Sequence, residues 1–155
     1  MADHKEQKQG NLQHLAEKVA ETPQKPLPRG SETILLVEGE DPVRKLMEQE
    51  LRAQGYTVLS AGSGEDAQNL FRQTEQSIDL LVTDVVMPGQ SGPDLYRQLE
   101  LEHPGLKALF ISGYSERAVE QGTILENRLP FLQKPFRTSE LALRVREILD
   151  KNSGE

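Results

Sequence analysis

From Thr33 onward the chain alternates short apolar runs, the length of strands, with longer stretches whose apolar residues recur at helical spacing. Ile34 to Val37 reads as strand one. Asp41 and Pro42 then supply an N-cap and a first-turn proline; Val43, Leu46, Met47 and Leu51 form a helical stripe, and Gly55 ends it. Tyr56 to Leu59 is strand two, and Ala67, Leu70 and Phe71 mark a second helix. Leu80 to Thr83 is strand three. Ser91 with Asp94 has the form of a capping box opening a third helix that carries Leu95 and Leu99. Leu106 to Ile111 is strand four, a weaker helical pattern surrounds Val119, and Leu129 to Leu132 is strand five. Thr138 is positioned to cap a last helix that turns Leu141, Val145, Ile148 and Leu149 inward.

Single helices between successive strands require right-handed crossovers, and so a parallel sheet covered on both faces. The pattern therefore predicts an α/β fold: a doubly wound, flavodoxin-like sheet of five parallel strands, (βα)5, in the order 2-1-3-4-5. This domain is expected over residues 32–151, with a short tail over 152–155. Residues 1–31 are polar and end in Pro23, Pro26, Pro28 and Gly30, a composition that reads as a tail or linker. Within it Leu12, Leu15, Ala16, Val19 and Ala20 have helical spacing, consistent with one short helix that needs a packing partner to persist.

In such a sheet all strands end on one edge, and that edge collects the reactive residues. Glu38, Glu40 and Asp41 follow strand one, Asp84 follows strand three, Ser112 follows strand four and Lys134 follows strand five. Asp84 opens onto the turn Val85-Val86-Met87-Pro88-Gly89, which holds a carboxylate rigidly at the rim. Acids, a hydroxyl and an ammonium at one place suit phosphoryl transfer to a carboxylate. Asp84 is the candidate nucleophile; Mg²⁺ held by Asp84 and a neighbouring acid would neutralise phosphoryl oxygens, with Lys134 and Ser112 binding the rest. The plainer readings are an Asp84 that caps its own turn, a solvated Lys134, a Ser112 belonging to an ordinary Ser-Gly turn and a Phe131 that is simply core.

Composition narrows the classes. The 155 residues allow one domain and a tail. Without cysteine there is neither a disulfide framework nor thiolate metal ligation, so a reducing cytoplasm is the expected setting. A net charge of −7 argues against nucleic-acid or anionic-membrane binding, and no apolar stretch approaches a membrane span. His4, His14 and His103 share no metal-ligand spacing.

The Thr83 to Gly89 turn, the Ser112 to Tyr114 segment and the Phe131 to Phe136 segment together resemble the receiver domain of bacterial two-component response regulators and hybrid histidine kinases. The resemblance covers Thr33 to about Leu149. It implies Asp84 as phosphoacceptor, Ser112 as switch hydroxyl, Phe131 as switch aromatic and Lys134 as the family's lysine, with a cis peptide between Lys134 and Pro135. It also implies Mg²⁺ bound by Glu38, Asp84 and the backbone carbonyl of Val86, with Glu40 as a further candidate. The implied partners are a histidine kinase or histidine phosphotransfer protein and an output protein on the face of helix four, strand five and the last helix. The implied role is a phosphoacceptor signalling domain, not an enzyme. The Ser112-Gly113-Tyr114 sequence is similar to receivers at the C-termini of hybrid histidine kinases. Six residues follow Leu149, so no DNA-binding domain is expected after the last helix.

One departure stands out. Receivers usually carry two adjacent acids after strand one, and here the pair is Glu38 and Gly39. Asp41 is expected to be committed to its helix cap, leaving Glu40 to turn inward as compensation. Weakened Mg²⁺ binding and phosphorylation follow as the expectation; the alternatives are a degenerate, phosphorylation-independent interaction module and an Asp-nucleophile hydrolase of haloacid-dehalogenase type. The last wants a second Asp where Val86 stands.

Overall fold

The computed structural model describes residues 27–113 and 129–151. The helical patterns around Leu12 to Ala20 and around Val119, and Tyr114 of the Ser112 segment, lie outside the described residues. The strands are β1 (Thr33–Val37), β2 (Thr57–Ala61), β3 (Leu80–Asp84), β4 (Lys107–Ser112) and β5 (Phe131–Gln133). The helices are α1 (Asp41–Ala53), α2 (Gly64–Gln73), α3 (Gly92–Glu102) and α4 (Thr138–Asp150). All pairings are parallel, in the order β2-β1-β3-β4-β5, as the alternation of patterns predicts.

The sheet's two faces carry separate cores because strand side chains alternate. Ile34 and Leu36 of β1 join Leu80, Val82, Leu109 and Ile111 beneath Met47 and Leu51 of α1 and Leu141, Val145 and Ile148 of α4. Leu35 and Val37 point the other way, with Leu81 and Phe110, onto Ala67 of α2 and Leu95 and Leu99 of α3. Being covered on both sides, β1 and β3 are buried along their whole length, which is why they read as unbroken apolar runs.

Element ends differ from the sequence expectation by one to two residues, and the backbone shows why. Glu40, not Asp41, is the N-cap of α1 and makes no side-chain cap. Asp41 is the first helical residue, and its carboxylate pairs with Arg44 Nη2 at 2.6 Å across the first turn. Arg137, not Thr138, is the N-cap of α4, and its backbone N–H donates to Glu140 at 3.2 Å. Strand β2 runs on to Ala61 because Glu38 N–H donates to the Ala61 carbonyl at 3.1 Å. Strand β5 runs on to Gln133 because Lys134 N–H donates to the Ser112 carbonyl at 2.7 Å. Elsewhere Ser91 accepts from the Asp94 N–H and Gly55, at φ 105°, follows the end of α1 as expected, while Ser63 caps α2 by accepting from the Asp66 N–H without having been read as a cap in the sequence.

Candidate functional site

The carboxyl edge of the sheet gathers Glu38, Asp84, Ser112 and Lys134. Glu38 leaves the end of β1 and Asp84 ends β3, its neighbour; both are buried. Lys134 follows β5, two strands away from β3, and reaches back across the rim. Its Nζ lies 3.1 Å from Glu38 Oε2, 3.3 Å from Glu38 Oε1 and 3.5 Å from Asp84 Oδ1. Glu40, mostly exposed, stands at the margin with Oε1 4.0 Å from the same ammonium. The Lys134–Pro135 peptide is cis, as the family resemblance implies.

Two oxygens of this cluster, Glu38 Oε2 and Asp84 Oδ1, are buried without a well-directed hydrogen bond. Burial, reinforced by the adjacent Glu38, raises the Asp84 carboxyl from 3.8 to about 8, against the opposing pull of Lys134 and the Gly39 N–H. Burial draws the Lys134 ammonium down, but the charges of Asp84 and Glu38 outweigh it and hold the group above its usual 10.5. Glu38, touching the ammonium through both oxygens, is its nearest partner.

Ser112 is buried at the end of β4, one residue beyond Ile111, which pairs with Asp84. Phe131 lies opposite Phe110, half-buried against the α2/α3 core and farther down the sheet from the rim. Val86 is half-exposed in the loop after Asp84, whereas Met87 is tucked in, with the Thr83 hydroxyl 3.8 Å from its sulfur.

Three supports of Asp84 escape the sequence reading. Gly39, conspicuous there as a missing acid, contributes its N–H, which donates to Asp84 Oδ2 at 3.3 Å. The Thr83 hydroxyl donates to the Asp84 backbone carbonyl at 3.1 Å. Gly92, at the start of α3, lets that helix rest directly on Asp84: a Cβ there would fall 2.1 Å from the Asp84 carbonyl oxygen. The only sequence signal for the last is a small residue directly after the capping Ser91.

Residues 34–146 match the response regulator receiver domain family. The chain belongs to that family. It is 43% identical over 122 residues to the sensor kinase CckA of Brucella abortus (strain 2308), a match covering 79% of this chain and 13% of that protein. The response regulator receiver protein CpdR of the same strain is 31% identical over 116 residues, with 75% of this chain and 95% of CpdR covered. The crystal structure of the receiver domain from hybrid histidine kinase CckA superposes with a TM-score of 0.63 at 36% identity, covering 76% of this chain and 99% of that one. Residues 34–146 are thus a receiver domain of two-component signalling, and such a domain is a signalling domain rather than a classical enzyme. Receivers work with histidine kinases or phosphotransfer proteins and generally bind Mg²⁺ at their acidic pocket. Among the described residues no helix is long and apolar enough to cross a membrane.

Proposed function

We propose that Asp84 is the phosphoacceptor of this receiver, taking a phosphoryl group from a histidine kinase or histidine phosphotransfer protein. What supports this most is the pair of buried oxygens on Asp84 and Glu38, ion-paired to a single ammonium but completed by no directed hydrogen bond. A folded protein keeps such oxygens when something else completes them. Once Asp84 has given up its proton, one oxygen of its carboxylate attacks phosphorus while the P–N bond to the donor histidine breaks and the imidazole leaves with the donor protein, and Lys134 lies close enough to balance the charge that the new group brings. Ser112, at the end of the adjacent strand, supplies a hydroxyl to a phosphoryl oxygen.

The donor set fits Mg²⁺. Among the described residues no three carboxylates or imidazoles form a cage, but Mg²⁺ asks for only one or two carboxylates plus waters and phosphate. Glu38, Asp84 and the Val86 carbonyl would hold it, with Glu40 as a further ligand from the margin. Bound there, Mg²⁺ would supply positive charge to oxygens of the transferring group. Gly39 withholds the acid that usually stands there, and one lost charge-assisted contact of about 1.5 to 3 kcal/mol weakens metal binding about ten- to a hundredfold. Gly39 is not needed for space: a Cβ would meet only the Gly62 carbonyl, at 3.8 Å. Phosphorylation is therefore weakened rather than lost.

On the same reading, phosphorylation draws Ser112 inward and Phe131 follows. The face of β5 and α4 then changes for an output protein. The likeness to CckA supports a place within a hybrid histidine kinase, and the cytoplasm is the compartment in which such a domain meets its phosphodonor. A second reading rests on Gly39 alone: a receiver silenced at the metal site that acts by binding.

Intact-protein mass after incubation with Mg²⁺ and a small-molecule phosphodonor separates the two. An adduct of one phosphoryl group that is absent in Asp84→Asn supports the phosphoacceptor. An adduct that appears only in Gly39→Asp supports the silenced form. An adduct that persists in Asp84→Asn refutes both.

A further inference from the structure

Residues 29 to 32 are fastened, ahead of β1, by one side chain of the last helix. Arg146 places Nη2 2.6 Å from Glu32 Oε2 and Nη1 3.1 Å from Glu32 Oε1, a two-pronged pairing. The same Nη1 lies 3.2 Å from the Arg29 carbonyl and 3.3 Å from the Tyr56 hydroxyl. Asp150, one turn on, holds the guanidinium from behind at 2.8 Å. Both partners are mostly shielded from solvent, and Arg146 lowers the Glu32 carboxyl to about 2.

The backbone is engaged as well. Gly30 N–H donates to the Gln54 carbonyl at 3.0 Å, and Thr57 N–H donates to the Glu32 carbonyl at 3.0 Å. Gly30 and Gly55 interlock: a Cβ on Gly55 would fall 2.3 Å from the Gly30 oxygen, and one on Gly30 would fall 2.3 Å from the Tyr56 ring. This machinery lies before β1 and near the end of α4, at the sheet edge opposite Asp84.

We propose that residues 29–32 are a coupling joint in which Arg146 ties the polypeptide arriving from residue 28 to α4. A displacement of α4 is then delivered directly to residues 29–32. The joint stands independently of the phosphoacceptor reading, because none of its groups belongs to that site.

Trypsin tests it. The Arg29 side chain is exposed, so slow cutting of the Arg29–Gly30 bond reports a backbone that is held. The neighbouring Lys25–Pro26 bond resists trypsin in any case. The whole protein should be cut at Arg29–Gly30 about tenfold or more slowly than a peptide of residues 23–35. Arg146→Gln and Glu32→Gln should each raise the rate close to the peptide's, whereas Tyr56→Phe should leave protection in place. Amide exchange at Gly30 should lose protection in the same two variants while Leu81 and Val82 keep theirs. Wild-type cleavage as fast as the peptide, or protection unchanged in both charge variants, overturns the joint. If Arg146→Gln fails to fold, Glu32→Gln carries the test.

Discussion

The buried Asp84 carboxyl makes stability depend on pH in a way that can be worked from its surroundings. Its value is 3.8 in the unfolded chain and about 8 in the fold, chiefly through burial and then through Glu38. Between those values the folded state retains a proton that the unfolded state has released. Stability is therefore complete below about pH 4 and falls as pH rises toward 8, at no more than about 1.4 kcal/mol per pH unit. Over the whole interval the loss is about 6 kcal/mol at most, a large share of a small domain's stability. Asp84→Asn keeps the shape and an acceptor for the Gly39 N–H but has no proton to lose. Urea unfolding of both proteins at pH 4, 6 and 8 without divalent metal should show equal midpoints at pH 4 and a growing advantage for the variant above it. Parallel pH profiles for the two proteins would refute the reasoning, since Asp84 would then be ionised in the fold without cost. Saturating Mg²⁺ should shrink the difference, because a bound cation favours the ionised carboxylate.

Gly39→Asp should lower metal-free stability by adding a carboxylate beside Glu38 and Asp84. It should raise Mg²⁺-dependent stabilisation by about 1.5 to 3 kcal/mol, measured as the shift of the urea midpoint with Mg²⁺. Gly92→Ala drives a methyl into the Asp84 carbonyl, 2.1 Å away, and should cost about 1 to 3 kcal/mol while cutting adduct formation at Asp84. An unchanged adduct rate would show that the helix shifts without disturbing the acid. Phe110→Ala removes a fully buried ring whose edge contacts Tyr96 with centroids 5.9 Å apart; chemical denaturation should register a loss of about 3 to 5 kcal/mol. Ser112→Ala should preserve the phosphoryl adduct but weaken the conformational response, and equal spectral changes in both proteins would count against the switch.

Element order and a parallel sheet covered on both faces are legible along the chain because side-chain periodicity is local; which residues meet in each core, Ile34 and Leu36 on one face and Leu35 and Val37 on the other, comes from the fold. The same logic places Asp84 and Lys134 at the ends of strands on one edge, and hence in reach of each other. Boundaries are not local. Glu40 takes the cap expected of Asp41, and β2 and β5 extend further, because the last hydrogen bonds come from neighbouring strands. The Glu38–Lys134 contact spans 96 positions and depends on the order in which β1, β3, β4 and β5 lie side by side. Gly39 reads as a missing acid, yet folding turns its N–H onto Asp84; Gly92 reads as nothing, yet it is where α3 touches that residue's backbone. Residues 29–32 have the composition of a tether, and become a fastened segment because Arg146, 114 positions from Glu32, arrives on the last helix. Composition reports what a segment can bury by itself, whereas a guanidinium delivered from elsewhere supplies partners that no local pattern records.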